Sequence, residues 1–136
     1  MKSMLNGLGI LAVAITLSGA AMASDVAHGD ATRGAKVFKK CQACHTVEEG
    51  GPNRVGPNLY GFMNRGVATK EDYNYSKGMK EFAATGAKWT EDTLFQYLEK
   101  PRALVPGTNM SFAGLKKEKD RNDLLAYLEE ATGYKK

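Results

Sequence analysis

The chain is poor in the residues from which most hydrolytic and metal sites are built. Its 136 residues include two histidines and two cysteines. A hydrolytic triad has little to draw on, and so does a structural zinc, which needs four N or S donors. Strand signals are missing too: no stretch alternates apolar with polar residues, and there is no internal repeat or low-complexity tract. The apolar run from about Leu8 to Leu17 falls far short of the roughly 20 residues a membrane-spanning helix needs. Basic residues exceed acidic ones by 19 to 15, an imbalance too mild and too scattered for a nucleic-acid-binding stripe. Gly51 and Gly56 have the spacing of a phosphate-binding loop, but Pro57 and Asn58 follow where Lys and Ser or Thr are required.

The N-terminus reads as a secretory signal peptide. Met1-Lys2 precedes the apolar run, and Ala21-Met22-Ala23 closes it with an A-x-A cleavage pattern. Ser18-Gly19-Ala20 is an alternative cleavage site. No cysteine follows the run, so lipoprotein processing has no acceptor. A carrier tethered by an uncleaved signal would need a long linker, whereas Ser24 to Gly29 is a short arm. The expected organisation is therefore a cleaved segment over residues 1–23 and one domain over 24–136, exported to the periplasm without a permanent membrane anchor. A domain of that size buries a modest core and gains from folding around something bulky and apolar.

Within the domain the periodicity is helical. Asp30 is a suitable N-cap for a helix over Ala31 to Lys40 that ends at the cysteines. From Thr46 to Thr69 glycine, proline and asparagine dominate, which is turn chemistry. A short helix is expected around Ser76 to Ala83. Thr90 caps the next, with Glu91 and Asp92 in its first turn where the helix dipole favours acids. Leu94, Phe95 and Leu98 make its apolar face, and Pro101 stops it. A second turn-rich loop spans Leu104 to Leu115. The last helix covers Lys117 to Thr132, with Leu124, Leu125, Leu128 and Ala131 on one side and Gly133 as its stop. The fold class is all-α with long loops, and such loops need a reason in a compact domain. A cofactor for them to wrap would be one.

Cys41-Gln42-Ala43-Cys44-His45 supplies the cofactor. C-x-x-C-H is the pattern of covalent c-type haem attachment, in which each thiol adds across a vinyl group and the histidine reaches the iron. A thioredoxin-like pair opens a helix after a strand, whereas these cysteines close a helix. A zinc site would have, beyond His45, only His28 to add, and a plain disulfide leaves the adjacent histidine unexplained. The iron's sixth position has three methionine candidates in the domain: Met63, Met79 and Met110. Spacing favours Met110, which sits in the stiff Val105-Pro106-Gly107-Thr108-Asn109-Met110-Ser111-Phe112 loop with the reach to cross the opposite ring face.

From Gly29 to Gly133 the sequence resembles class I cytochromes c of the mitochondrial and alphaproteobacterial soluble type. Gly34 with Phe38, the attachment motif, Gly56-Pro57-Asn58-Leu59-Tyr60-Gly61, the Pro-Gly-Thr-Asn-Met loop and Leu124-Leu125-Ala126-Tyr127-Leu128 occur in the family's order. The resemblance implies four to five helices around one covalent haem c. It implies an electron carrier rather than an enzyme, with iron cycling between Fe(III) and Fe(II). Met110 then becomes the distal ligand, closing the open position that a haem peroxidase would need. Pro57 offers its carbonyl to His45, and the Tyr97 hydroxyl approaches the methionine sulfur. Arg65, Tyr75 and Trp89 match the residues that balance the buried haem propionates, although core packing is what the aromatics alone would suggest. Gly34 lets the first helix cross closely against the last, beside Phe38 and Tyr127.

Two positions depart from the family. Asn109 stands where many relatives have lysine, and Met79 where they often have a polar residue. Lys40, Arg54, Arg102, Lys116 and Lys117 match positions that ring the exposed haem edge. That implies a monomer that meets redox partners with acidic docking surfaces, such as a cytochrome bc-type complex, a terminal oxidase or a photosynthetic reaction centre.

Overall fold

The computed structural model describes residues 29–136. Its regular elements are α1 (Ala31–Phe38), α2 (Lys77–Ala84), α3 (Glu91–Glu99), α4 (Pro101–Leu104) and α5 (Glu118–Ala131). Among the described residues there is no strand, so the all-α class and the count of four to five helices both hold. None of these helices is long and apolar enough to cross a membrane. The expected signal peptide, the arm after it and His28 lie outside the described residues.

Three helices begin where a side chain accepts a free backbone N–H. Asp30 accepts from Arg33, Ser76 from Met79 and Thr90 from Thr93, each cap stabilising its helix by about 1 kcal/mol. α1 ends at Phe38, two residues before the expected Lys40. Its hydrogen bonding there tightens to the three-residue pattern, Lys40 N–H to Val37 at 3.1 Å and Cys41 N–H to Phe38 at 2.7 Å, and such turns carry the chain to Cys44. Pro101 does more than stop α3. It opens α4, a short helix where the sequence suggests only the edge of a loop. A proline in the first turn forfeits no helical hydrogen bond, and its fixed φ suits the start.

α1 lies across α5 at Gly34. A Cβ there would sit 1.9 Å from the Asp123 carbonyl oxygen and 2.7 Å from the Tyr127 Cβ, so only glycine permits the crossing. Phe38 packs on Tyr127 beside it, with ring centroids 5.2 Å apart. The buried Asp123 carboxylate fastens the same joint. It accepts from the Asp30 N–H at 2.7 Å, from Arg33 Nε and Nη2 at 2.8 and 2.9 Å, and from Lys119 Nζ at 2.7 Å. The Arg33 guanidinium holds this carboxyl well below the usual carboxylate range against the opposing effect of burial, helped by the Asp30 N–H and Lys119.

The core gathers Leu94 and Leu98 of α3, Leu124, Leu125 and Leu128 of α5, Phe38 of α1, and Phe62, Met63, Val105 and Leu115 from the loops. These residues do not close on each other completely. They leave a cavity with the segment after α1 on one side and the Val105–Leu115 loop on the other.

Candidate cofactor site

The cavity measures about 250 Å³, far above the water-sized voids that a well-packed interior tolerates. Cys41, Cys44, His45 and Met110 all line it, as do Pro57, Arg65, Tyr75, Trp89 and Tyr97. Every residue singled out from the sequence as part of the site therefore reaches one space. The rest of the wall is largely apolar and aromatic, including Phe38, Leu59, Phe62, Leu94, Leu98 and Leu124.

Both cysteines are free and half-buried. Burial pushes the Cys41 thiol up to about 11, against the pull of the Lys40 charge. A redox-active C-x-x-C thiol is depressed instead, so Cys41 has the character of a protonated thiol available for addition. Among the described residues no three His, Cys, Asp or Glu side chains converge as a metal-binding group.

His45 is held by the loop on its C-terminal side. Its Nδ1 lies 2.8 Å from the Pro57 carbonyl oxygen. A carbonyl only accepts, so Nδ1 carries the hydrogen and Nε2 keeps its lone pair. Burial lowers the imidazole's proton affinity, partly opposed by the Pro57 bond, and the neutral ring is the form that ligates a metal. Gly56 lets the backbone pass flush against this ring, since a Cβ there would lie 2.3 Å from the His45 Cε1. A hydrogen-bonded loop fixes Pro57 in turn. Gly56 N–H donates to the Cys44 carbonyl at 2.8 Å and Leu59 N–H to the Thr46 carbonyl at 2.8 Å. Buried Asn58 donates to Thr46 Oγ1 at 2.8 Å and to the Glu48 carbonyl at 2.9 Å.

Met110 stands on the other wall. Its N–H donates to Thr108 Oγ1 at 3.2 Å, and that oxygen lies 3.0 Å from the Tyr97 hydroxyl. The Tyr97 hydroxyl also points at the Met110 sulfur, 3.7 Å away. Met63 drops out as a rival ligand: it is buried in the core and does not line the cavity. Met79 does line it, from the first turn of α2.

The polar corner belongs to Arg65, which donates to the Tyr75 hydroxyl at 3.4 Å and to the Asn58 carbonyl at 3.2 Å. Trp89 lines the cavity and is also packed, with Tyr97 at 5.0 Å and Phe82 at 5.9 Å between ring centroids. Core packing and cofactor contact are thus both true of it. Of the five basic residues expected around the cavity edge, Lys40 lines the cavity, while Arg54, Arg102, Lys116 and Lys117 are exposed without lining it. Arg54 Nη1 instead donates to the Gln42 carbonyl at 2.5 Å.

Sequence reasoning assigns no role to Thr108, Asn58 or Tyr73. Tyr73 lines the cavity and donates from its hydroxyl to the Val55 carbonyl at 2.8 Å. A threonine two residues before a candidate ligand is a turn-former whose hydroxyl tends to bond nearby backbone, and that cue points to Thr108. Asn58 and Tyr73 give no comparable signal.

A flat, largely apolar group covalently held at Cys41 and Cys44 and faced by an imidazole lone pair fits this cavity. The donor set is that of c-type haem. The cytochrome c family profile matches residues 31–132. A cytochrome c of Gibberella zeae is 49% identical over 108 residues, covering 79% of this chain and 99% of its own length. One from Stellaria longipes is 49% identical over 105 residues, covering 76% of this chain and 94% of its own. One from Chlamydomonas reinhardtii is 50% identical over 105 residues, covering 76% and 91%.

Proposed function

The chain belongs to the cytochrome c family, and from that premise we propose that it shuttles electrons in the periplasm with its haem iron held between His45 and Met110. Membership makes it a single-haem electron carrier rather than an enzyme, with haem c attached at Cys41 and Cys44. The observation carrying the ligand assignment is that the His45 imidazole, its Nε2 free because Nδ1 is committed to Pro57, shares one cavity with the Met110 thioether.

When bound, the haem supplies a one-electron couple, and a thioether ligand favours its reduced form. The chain's own residues supply the rest. Pro57 and Gly56 keep the imidazole in one orientation, so it need not turn between oxidation states. Tyr97 and Thr108 hold the sulfur from the far side. The apolar wall keeps water away, and Arg65 with Tyr75 and Trp89 forms the polar corner suited to propionates. Partners meet the exposed edge near Lys40 through a small and short-lived interface. The basic excess favours acidic docking surfaces, and we place the donor as a cytochrome bc-type complex and the acceptor as a terminal oxidase or photosynthetic reaction centre. The carrier acts as a monomer. The Ala21-Met22-Ala23 pattern supports export with cleavage after residue 23.

Reduced and oxidised optical spectra with a redox titration of the exported protein test this reading. The oxidised form should carry a methionine-to-iron charge-transfer band at the red end. A high-spin spectrum without that band would remove Met110 as ligand. N-terminal sequencing of the exported protein checks the cleavage site.

A further inference from the structure

We infer that Arg121 is a positioning residue for Met110, clamping the C-terminal root of the ligand loop from a distance. The inference rests on Met110 being the iron ligand. Arg121 lies at the end of the first turn of α5, with its side chain only 6% exposed. A guanidinium is costly to bury, and because its Nε finds no partner here the contacts of its Nη atoms and its face carry the compensation. Its Nη1 donates to the Leu115 carbonyl at 2.6 Å and to the Lys116 carbonyl at 3.0 Å. Its Nη2 lies 3.9 Å from Glu99, and its Cζ sits 4.2 Å over the Phe95 ring. The cation therefore touches α3 and the exit of the Met110 loop at once.

That exit is where the loop is most dependent on other elements. Leu115 N–H donates to the Leu98 carbonyl at 2.7 Å, so residue 115 is pinned between α3 on one side and Arg121 on the other. At the loop entry, local turns suffice: Val105 N–H to Pro101 at 2.9 Å and Thr108 N–H to Val105 at 3.1 Å. Between Met110 and Leu115 the internal support is slight, a Phe112 N–H to Met110 bond at 2.9 Å. The thioether's place against the cavity is thus set by the Tyr97–Thr108 contact before it and by the exit of its loop after it. One nitrogen, Nη1, serves both carbonyls of the exit while Nη2 faces Glu99 and Cζ covers Phe95. A lysine ammonium, one atom shorter and without the planar group, cannot keep all of these contacts at once.

The test uses the haem-loaded protein as wild type, Arg121→Met and Arg121→Lys. Asp123→Asn serves as a control that weakens the α1–α5 joint without touching the loop. The readouts are the charge-transfer band and the affinity of the ferric protein for imidazole, which must displace the methionine. Arg121→Met should bind imidazole about tenfold more tightly, the size of one charge-assisted bond lost from the loop-closed state. Arg121→Lys should fall between it and wild type, and Asp123→Asn should stay within about twofold of wild type. If Arg121→Met does not fold, Arg121→Lys decides alone: a rise supports the clamp and none overturns it. An equal rise in Asp123→Asn would make the effect general destabilisation and overturn the inference. A wild type without the band removes the ligand assignment and the clamp with it; a wild type with the band but unmoved Arg121 variants overturns the clamp alone.

Discussion

Replacing Gly34 by alanine inserts a single methyl at the point where α1 and α5 touch. On the present backbone that Cβ would stand 1.9 Å from the Asp123 carbonyl oxygen, 2.6 Å from its carbon and 2.7 Å from the Tyr127 Cβ. The first two are backbone atoms inside a helix, so no side chain can swing aside and the helices must part. Overpacking a close contact costs typically about 1–3 kcal/mol, and a backbone obstacle belongs at the upper end. Alanine recovers about 1 kcal/mol through its better helix propensity. The net destabilisation is therefore about 2 kcal/mol, or about 10 °C in Tm for a domain this size. Separation of the helices also strains the bonds from Arg33 and the Asp30 N–H to Asp123, so the figure is a floor. Thermal unfolding of the haem-loaded protein, followed by far-ultraviolet circular dichroism, measures it. The neighbouring Ala35→Gly is the internal control. Ala35 is exposed, so that change should cost only the propensity difference of about 1 kcal/mol. If Gly34→Ala leaves Tm within about 2 °C of wild type, or raises it, the close crossing is refuted.

Three further outcomes depend on single groups. The Asp123 carboxyl is depressed in the folded state, so its stabilisation is fully present above the unfolded value of about 3.9 and drains away as pH falls below it. Asp123→Asn should be less stable at pH 7 by about 2 kcal/mol, Arg33 being half-exposed and partly screened, with a flatter loss of stability on acidification. Urea unfolding at pH 7 and at about pH 2.5, below the unfolded value, compares the two, and parallel pH profiles would remove Asp123 as the titrating group. Tyr97→Phe deletes the hydroxyl that meets Thr108 and the Met110 sulfur; the sulfur then donates more freely to oxidised iron, so a redox titration should find a lower reduction potential. An unchanged or higher potential argues against that contact in the loaded protein. Electron transfer to an acidic partner should slow steeply with added salt, since exposed Lys40 and its basic neighbours act through the solvent. A rate indifferent to salt would exclude electrostatic steering.

Local chemistry makes much of this legible in advance. Asp30, Ser76 and Thr90 are cap residues whatever they pack against, and each begins a helix as expected. The ends are less readable. The close of α1 has no local mark in the sequence, and Pro101 is suited both to stopping α3 and to opening α4, so neither boundary is fixed by neighbouring residues. The ligand candidates divide in the same way. Three methionines are equivalent as chemistry, and Met63 is set aside only because its side chain is buried in the core while Met110 faces the cavity.

The five residues from Cys41 to His45 determine by themselves that haem is attached, because those groups are adjacent in the chain and need no folding to be brought together. The opposite side of the site is a tertiary decision. Tyr97, Thr108 and Met110 converge because α3 and the loop lie against α5, with Arg121 and the Leu115–Leu98 bond holding them there. Contacts across such distances in sequence exist only once the core has offset their ordering entropy, so no reading of neighbouring residues can supply them.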